Sequence, residues 1–295
     1  MNTFPSKALV YGHRHTIVHN LVEGTYERLE NEHFSDLMPT VNPKQLSDEN
    51  LAPWETPSYI DNSIIELSRA NQLLTKDQKL NELFEALQSV ICKNLVLVIR
   101  EPVTLTDMKR ILESSEGYCF SSITLLMTYD ESLYCNEFSQ LVLDTPSVFT
   151  CVFYESPFNK NFADLIYFVD NELGFTKLKK PFEFVANIPL YQEAIHFNPY
   201  FNKKLYIDEQ GYIRNAPETS KHFGSIHADY DLKEVSQQTS FQQLWTVSKE
   251  QCDVCKDCEY RRMCVDNRVP KRRDERHWYF EDPCNYDPYT GEWQQ

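Results

Sequence analysis

The sequence predicts an α/β protein built on a partial βα barrel or an open sheet, with a cysteine-rich module at its C-terminal end. Between residues 51 and 204, near-continuous apolar segments alternate with amphipathic helical patterns, which indicates a parallel sheet covered by helices on both faces. Four or five such βα units are too few for a closed eight-fold barrel. Five of the nine cysteines fall within residues 252–284. We therefore expect a small α+β unit at 1–50, a partial βα barrel at 51–204, and a β-hairpin with the cysteine module at 205–295.

The N-terminal unit begins with two predicted strands. ALVYG and HTIVHNLV are typical of a strand pair, and the following TYERLENEHFSDLM has a helical pattern. His13, His15 and His19 would share one strand face, because side chains alternate along a strand. No neighbouring cysteine or carboxylate completes a metal-ligand set, so a solvated or partner-facing strand is favoured over a metal site. A peptide can bind by adding a strand to a sheet edge, which makes this unit a candidate for peptide recognition.

The central part contains four apolar strands with helices between them. The helix TLTDMKRILESS is predicted to open with Thr104 as its N-cap before Asp107. A polar FNKN turn after the fourth strand leads to a helix-like piece, then to FEFVAN and PLYQEAIHFNPYF. The predicted strands are SIIELS, NLVLVIR, SSITLLM and SVFTCVFYE, and the other helices are KLNELFEALQSVI and the segment around SLYCNEFSQLVLD.

The last part begins with a predicted β-hairpin. LYIDEQGYIRNAP, at 205–217, turns at Gln210 and Gly211, because a glycine between two alternating apolar segments is a strong hairpin signal. The following LKEVSQQTSFQQLWTVSKE is predicted to be helical. It leads directly into the cysteine module.

Composition and charge exclude several classes of protein. No two of the seven glycines lie within six residues of each other, which excludes the P-loop, the dinucleotide-binding turn and the nucleophile elbow. Forty-four acidic against 29 basic side chains give a net charge of −15, which argues against nucleic-acid binding. No segment approaches the roughly 18 apolar residues of a membrane span, and the first residues lack the apolar core of a signal peptide. We expect a cytoplasmic protein with no bound nucleotide and no membrane partner.

The strongest chemical signal is the pattern Cys255-x2-Cys258-x5-Cys264, with Cys284 twenty residues further on. A Cys-x2-Cys turn lets two thiolates converge on one metal, and the later cysteines complete a set of four soft sulfur ligands. Such a set suits either an iron–sulfur cluster or a structural zinc ion. Cys252 is a candidate spare thiol. The remaining cysteines lie in apolar runs, where small buried side chains are expected: Cys92, Cys119, Cys135 and Cys151.

The C-terminal sequence CDVCKDCEYRRMCVDNRVPKRRDERHWYFEDPCNYDPYTGEW resembles the SPASM domain, a cluster-binding extension of peptide-modifying radical S-adenosylmethionine (SAM) enzymes. It is most similar to the grasp-with-SPASM peptide maturases, which accompany an ATP-grasp peptide ligase and a short precursor peptide. The similarity also covers NPYFNKKLYIDEQGYIRNAP, HFGSIH, LWTVSKEQC and, more loosely, WETPSYIDNSIIELS. The resemblance implies that the partial barrel is of the radical SAM type.

Two departures from the family pattern change what the resemblance implies. Relatives with two auxiliary clusters have cysteines where this chain has Arg268 and Ala216. The retained cysteines match the ligands of a single cluster, expected to be a [4Fe–4S]. Radical SAM catalysis also needs Cys-x3-Cys-x2-Cys after the first strand, and no such triplet occurs in this chain. We therefore expect no binding of S-adenosylmethionine and no independent radical SAM activity.

The resemblance implies an accessory maturation protein for a ribosomally made peptide, which would bind the precursor peptide, the partner ATP-grasp ligase or both. Two alternatives stay open at this point: a redox-active iron–sulfur enzyme that modifies a peptide, and a zinc-bound interaction protein. A basic stretch in the cysteine module is a candidate docking site for an acidic peptide or partner, and the alternative is a solvated loop with hydrogen bonds to cluster sulfurs. Its candidate arginines are Arg261, Arg262, Arg268, Arg272 and Arg273.

Overall fold

Two units, each assembled from separate stretches of chain, make up the structure, a computed structural model that describes residues 7–32, 60–174 and 184–294. The first unit contains the described residues 7–32, 184–202 and 243–294, and the second contains 60–174 and 203–242. This division differs from the three parts expected from the sequence. The N-terminal strands and the cysteine module belong to one unit, and the hairpin near residue 210 belongs to the unit of the parallel sheet. The reason is strand pairing, because the hairpin's first strand is hydrogen-bonded to the sheet.

In chain order, the described residues form the strands and helices β1 (Lys7–Tyr11), β2 (His15–Asn20), β3 (Thr25–Glu30), β4 (Asn62–Leu67), α1 (Asp77–Ser89), β5 (Asn94–Ile99), α2 (Leu105–Glu116), β6 (Ser122–Thr128), α3 (Asn136–Leu143), β7 (Val148–Tyr154), β8 (Lys160–Phe162), β9 (Ile166–Phe168), α4 (Ile188–His196), β10 (Lys204–Ile207), β11 (Ile213–Arg214), α5 (Leu232–Gln237), β12 (Lys271–Arg272), β13 (Trp278–Tyr279), β14 (Tyr286–Asp287) and β15 (Glu292–Trp293). Short 3₁₀ turns lie at Glu131–Leu133, Gln242–Leu244, Lys249–Gln251 and Cys255–Asp257.

The second unit is built on an eight-stranded, mostly parallel sheet with the order β11-β10-β4-β5-β6-β7-β9-β8. The pairs from β10 through β4, β5, β6 and β7 to β9 are all parallel, and the pairs β10–β11 and β8–β9 at the two edges are antiparallel. Strands β4 to β7 stand in sequence order with one helix in each connection. The predicted α/β class with a parallel sheet is therefore confirmed.

The two faces of this sheet are unequally buried. Helix α2 contacts both α1 and α3, as expected for helices that right-handed crossovers place on one face of the sheet. One row of side chains across β4 to β7 is fully buried: Ile65, Leu97, Leu125 and Cys151. The adjacent row keeps partial exposure: Ile64, Val96, Thr124 and Thr150. The sequence predicted that helices cover both faces of the sheet. On one face the side chains are therefore less completely buried than predicted.

Local sequence signals fix several element ends as predicted. Thr104 is the N-cap of α2, and its side chain and that of Asp107 form a capping box. The hairpin of β10 and β11 turns at Gly211, whose φ of +82° lies in the left-handed region that glycine adopts without strain. Helix α1 buries apolar side chains at helical spacing: Leu80, Leu83, Phe84 and Leu87.

The helix-like piece predicted after the FNKN turn is wrong, because this segment forms the hairpin of β8 and β9. Ala163 and Asp164 both have positive φ, of 54° and 51°, as the central residues of a type I′ turn do, and the amide of Leu165 donates to the carbonyl of Phe162 at 3.1 Å. Ile166 and Phe168 are buried on either side of a partly exposed Tyr167, and this period of two is that of a strand. Strand β9 then extends the parallel sheet by pairing with β7.

The long helix predicted after the hairpin is largely wrong as well. Only α5 is α-helical, and it is capped by Asp231, which accepts hydrogen bonds from the amides of Lys233 and Glu234. The chain leaves the helix at Gln238 with extended backbone. The polar residues that follow compete for backbone hydrogen bonds and favour turns over helix, so the remainder forms short 3₁₀ turns.

The first unit opens with an antiparallel three-stranded sheet in the order β1-β2-β3. The predicted pairing of β1 with β2 is confirmed. The helix predicted from Thr25 is wrong for residues 25–30, which form β3, and the rest of that predicted helix from residue 33 onward lies outside the described residues. Strand formation is favoured at this position because β3 pairs along the whole length of β2 and satisfies its backbone groups.

The central strand β2 is the most buried of the three. Its side chains His15, Ile17 and His19 point to one face, where Ile17 packs against Tyr260 and Tyr286 of the cysteine module. The N-terminal strands therefore belong to the core of the first unit and do not stand alone. Among the described residues, no helix combines the length and the apolar character that a bilayer span requires.

His19 generates a testable pH dependence of stability. It is fully buried, and burial, reinforced by the charges of Arg262 and Arg261, lowers the pKa of its imidazole to about 4. Because the folded pKa lies below the unfolded value of about 6.5, this stabilising contribution is complete above pH 6.5 and is lost as the pH falls towards 4. We expect a loss of about 2–3 kcal/mol in the free energy of unfolding between pH 7.5 and 4.5 from this residue.

Urea denaturation of the unchanged protein and of His19→Leu at the two pH values measures this contribution. The leucine variant, which has no titratable group at this position, should lose markedly less stability on acidification. Equal losses in the two proteins would show that His19 does not carry this dependence.

Candidate metal centre

Four cysteine side chains of the first unit line one cavity: Cys255, Cys258, Cys264 and Cys284. The cavity has a volume of about 30 Å³. All four residues are partly buried, and none of the nine cysteines is in a disulfide. The four residues that the sequence spacing singled out as ligands thus lie in the wall of the same cavity.

A tight turn presents the first two thiols. Cys255 begins the 3₁₀ turn Cys255–Asp257, and Cys258 follows directly. Val254 immediately before it has a φ of +66°, which a β-branched residue rarely adopts. The amide of Cys258 donates to the carbonyl of Cys255 at 3.1 Å and closes the turn. The Cys-x2-Cys spacing therefore places both side chains at the same cavity.

The last thiol is fixed by the strand that follows it. The amide of Tyr286, the first residue of β14, donates to Sγ of Cys284 at 3.4 Å. An amide hydrogen bond to sulfur stabilises the thiolate form of a ligand. Aromatic side chains pack around this end of the cavity, among them Tyr286 and Trp293, whose ring centroids are 5.0 Å apart.

Burial raises the pKa of the thiols of Cys255, Cys258 and Cys264. The ammonium group of Lys249 acts in the opposite direction on Cys255 and Cys264, because a nearby positive charge stabilises a thiolate. A metal that binds these sulfurs must displace their protons. We therefore expect cation binding and thiol deprotonation to occur together.

A buried ionic group that sequence reasoning missed lies against the cavity. Lys249, only 1% exposed, donates to Oδ2 of Asp266 at 2.9 Å. Arg268 donates to the same carboxylate, at 2.6 Å to Oδ2 and 3.0 Å to Oδ1. Burial would lower the pKa of Lys249 and raise that of Asp266, but the attraction between them outweighs it, so the lysine pKa is raised and the aspartate pKa is well below its usual range. All three side chains stay charged.

A second polar network involves the same cysteine segment. Glu259 is fully buried and accepts a short hydrogen bond from the hydroxyl of Tyr286, and its Oε1 is 3.5 Å from Nδ1 of His15. Burial raises the pKa of Glu259. Arg28, from strand β3, donates to the hydroxyl of Tyr286 at 3.4 Å and to the carbonyl of Gly291 at 3.2 Å. The N-terminal sheet thus supplies side chains that hold the cysteine segment.

Cys252, the candidate spare thiol, is not among the residues that line the cavity. It is fully buried in an apolar cluster with Val247 and Trp278, and its thiol is 3.6 Å from the carbonyl of Ser248. Burial raises its pKa to about 12. This environment is that of a small core side chain.

The scattered cysteines are less uniform than expected. Cys92 and Cys151 are buried, as the sequence predicted. Cys119 is exposed and Cys135 is partly exposed, so the prediction of a buried position is wrong for Cys119. The reason is its place in the chain, because residue 119 lies in the connection between α2 and β6 and not inside the apolar strand.

Two of the candidate docking arginines are used inside the unit. Arg261 pairs with Glu250 at 2.6 Å and donates to the carbonyl of Cys258 at 2.8 Å. Arg262 pairs with the same glutamate at 2.9 Å and donates to the carbonyl of Ala194 at 2.8 Å. Both side chains are mostly buried. Like Arg268, they are committed to internal contacts and offer little charge to a partner.

The other two arginines lie in an exposed stretch at residues 271–277. Arg273 pairs with Asp253 at 2.9 Å, and Arg272 donates to the carbonyl of Asp274 at 2.9 Å. The docking hypothesis therefore depends on Arg272 and Arg273 alone. Exposed ion pairs of this kind contribute little to stability, so their exchange for a partner's carboxylate costs little.

Among the residues that the structure describes, no group of three or more His, Cys, Asp or Glu side chains is arranged to hold a metal ion; this applies to the N-terminal histidines and also to the four cavity cysteines, which line one cavity without standing in ligand geometry. Comparisons with protein-family models, with curated proteins and with solved structures find no match to this chain. The chemistry of the cavity therefore follows from its own side chains, of which four soft sulfur donors are the most specific feature.

Gly291 provides a test of the contact between β2 and the cysteine module. Its φ is +76°, and a Cβ at this position would overlap the ring of His15. We expect Gly291→Ala to lower the free energy of unfolding by about 1–3 kcal/mol, because both the backbone strain and the overlap oppose it. Gly117→Ala is the matched control, since a Cβ there meets no atom within 4 Å and should change stability by less than about 0.5 kcal/mol. Equal effects in urea denaturation would contradict the contact.

Proposed function

We propose that Cys255, Cys258, Cys264 and Cys284 bind one [4Fe–4S] cluster. The observation that carries this proposal is the meeting of four thiols at one cavity beside buried cations. Thiolates are the ligands of iron–sulfur clusters. Four of them bind all four irons of a [4Fe–4S] cluster, so that no iron keeps an open coordination position. When bound, such a cluster would supply either structural cross-linking or electron transfer. The chain's own residues hold it, compensate its charge and exclude water from it.

The donor set fits this group on chemical grounds. Four sulfur donors without histidine or carboxylate in the cavity wall are soft ligands, which suit iron–sulfur clusters and also zinc. The positive charges of Lys249 and Arg268 favour a group that is anionic overall. The aromatic side chains around the cavity limit the access of solvent. A zinc ion is the alternative occupant, and metal analysis separates the two.

We further propose that the parallel sheet of the second unit is a partial barrel of the radical SAM type. The sequential order of β4 to β7, with one helix in each connection, supports it. The SPASM-like cysteine spacing supports it independently. Since no Cys-x3-Cys-x2-Cys triplet follows the first strand, the proposed barrel does not perform reductive cleavage of S-adenosylmethionine.

On this basis the protein is an accessory maturation protein of the grasp-with-SPASM type, located in the cytoplasm. It binds a ribosomally made precursor peptide, a partner ATP-grasp ligase, or both, and the bond-forming step that uses ATP belongs to the ligase. The edges of the N-terminal sheet, β1 and β3, are places where an extended peptide can add a strand. Arg272 and Arg273 are exposed and available to an acidic partner.

Metal analysis of cysteine variants tests the cluster. The protein purified without oxygen should contain about four irons and an equal amount of sulfide per chain. Cys255→Ser and Cys284→Ser should lose most of both, because each removes one ligand. Cys119→Ser is the matched control and should keep the full content, since Cys119 is exposed and lies outside the cavity. One zinc per chain without sulfide would contradict the cluster and favour a zinc-bound interaction protein.

Co-expression tests the biological role. A precursor peptide and its ATP-grasp ligase are expressed in four cultures. These contain the unchanged protein, the Cys255→Ser variant, the Cys119→Ser variant or no form of this protein, and the peptide masses are compared. The modified mass should accumulate several-fold more with the unchanged protein and with Cys119→Ser than in the other two cases. The same yield of modified peptide in all four cultures would contradict an accessory role.

A further inference from the structure

The wall of the four-thiol cavity carries three cationic side chains, Lys249, Arg261 and Arg268, and two of them share one buried carboxylate. The side chains of Lys249 and Arg268 both line the cavity, and Asp266 lies between them and accepts hydrogen bonds from both. The face of the Phe280 ring lies next to the two cations, 4.5 Å from Nζ of Lys249 and 4.4 Å from the guanidinium carbon of Arg268. These contacts fix both charges at defined positions beside the thiols.

The charges of this group do not cancel among themselves. One carboxylate faces two cations, and burying a cation is costly unless negative charge lies nearby. The group lies in a chain whose net charge is −15, so its positive charge is local and not a general property of the surface. The thiol groups of Cys255 and Cys264 are close enough to Lys249 to interact with its charge. The wall is therefore suited to an anionic occupant.

We infer that Lys249 and Arg268 are positioning residues that compensate the negative charge of the cluster and raise its reduction potential. This inference rests on the proposed [4Fe–4S] cluster. Four thiolates around an iron–sulfur core are anionic overall, and each added electron makes the group more negative. A fixed positive charge nearby favours the reduced form, whereas Asp266 opposes it. The cluster potential should therefore respond to each of the three side chains with a sign set by its charge.

Substitutions that remove a positive or a negative charge test the sign of the change in reduction potential. An anaerobic redox titration followed by electron paramagnetic resonance gives the midpoint potential of each protein. Lys249→Met should lower it by about 59 mV or more, a tenfold change for one electron, and Lys249→Arg should leave it near the original value. Asp266→Asn, which removes the negative charge, should raise it. The control is Lys256→Met, because Lys256 is next to a proposed ligand in sequence but is exposed to solvent, where its charge is screened.

The outcomes separate charge from packing. If Lys249→Met yields a protein without iron and sulfide while Lys249→Arg keeps both, the cluster needs the positive charge, which supports the inference. An unchanged potential in cluster-loaded Lys249→Met would overturn it, as would a loss or shift that Lys249→Arg fails to restore. Absence of iron and sulfide from the unchanged protein would instead contradict the proposed cluster, and this inference with it.

Discussion

The first unit depends on one constraint, which is that the buried face of β2 packs against the cysteine segment. Ile17 lies among the aromatic rings of that segment, and Glu259 approaches the turn between β1 and β2 so closely that a Cβ on Gly12 would overlap it. Tyr286, two residues after a cavity cysteine, donates to the same glutamate. The two ends of the chain thus form one core, and the position of the thiols depends on residues more than 200 positions away in the sequence.

Much of the fold could be predicted because its signals are local. The capping box of Thr104 and Asp107, the turn at Gly211 and the apolar strands β4 to β7 are all contained in short stretches of sequence. Two of the errors have one physical cause in common. Strand β3 and the hairpin of β8 and β9 are strands because a partner strand is present, and pairing partners cannot be seen in a window of ten residues.

In the candidate site, too, features within a short stretch of sequence could be predicted, and contacts between distant residues could not. The spacing of the cysteines was enough to select the four that meet at the cavity. It was not enough to find Lys249 and Asp266, which are 17 residues apart and meet only in the folded chain. The prediction that the basic stretch is a docking site was wrong in part for a related reason. In a sequence, an arginine is expected at the surface, but the structure shows internal contacts for three of them: Arg261, Arg262 and Arg268.

The proposed role combines these features, with a thiol-lined cavity that holds a cluster, cations that compensate it and a parallel sheet that lacks radical SAM cysteines. Its central claim is the identity of the group in the cavity. Native mass spectrometry of the protein purified without oxygen tests that claim most directly. A mass increase equal to one [4Fe–4S] per chain is the result that we predict, and a mass equal to the bare chain or to the chain with one zinc ion would contradict it.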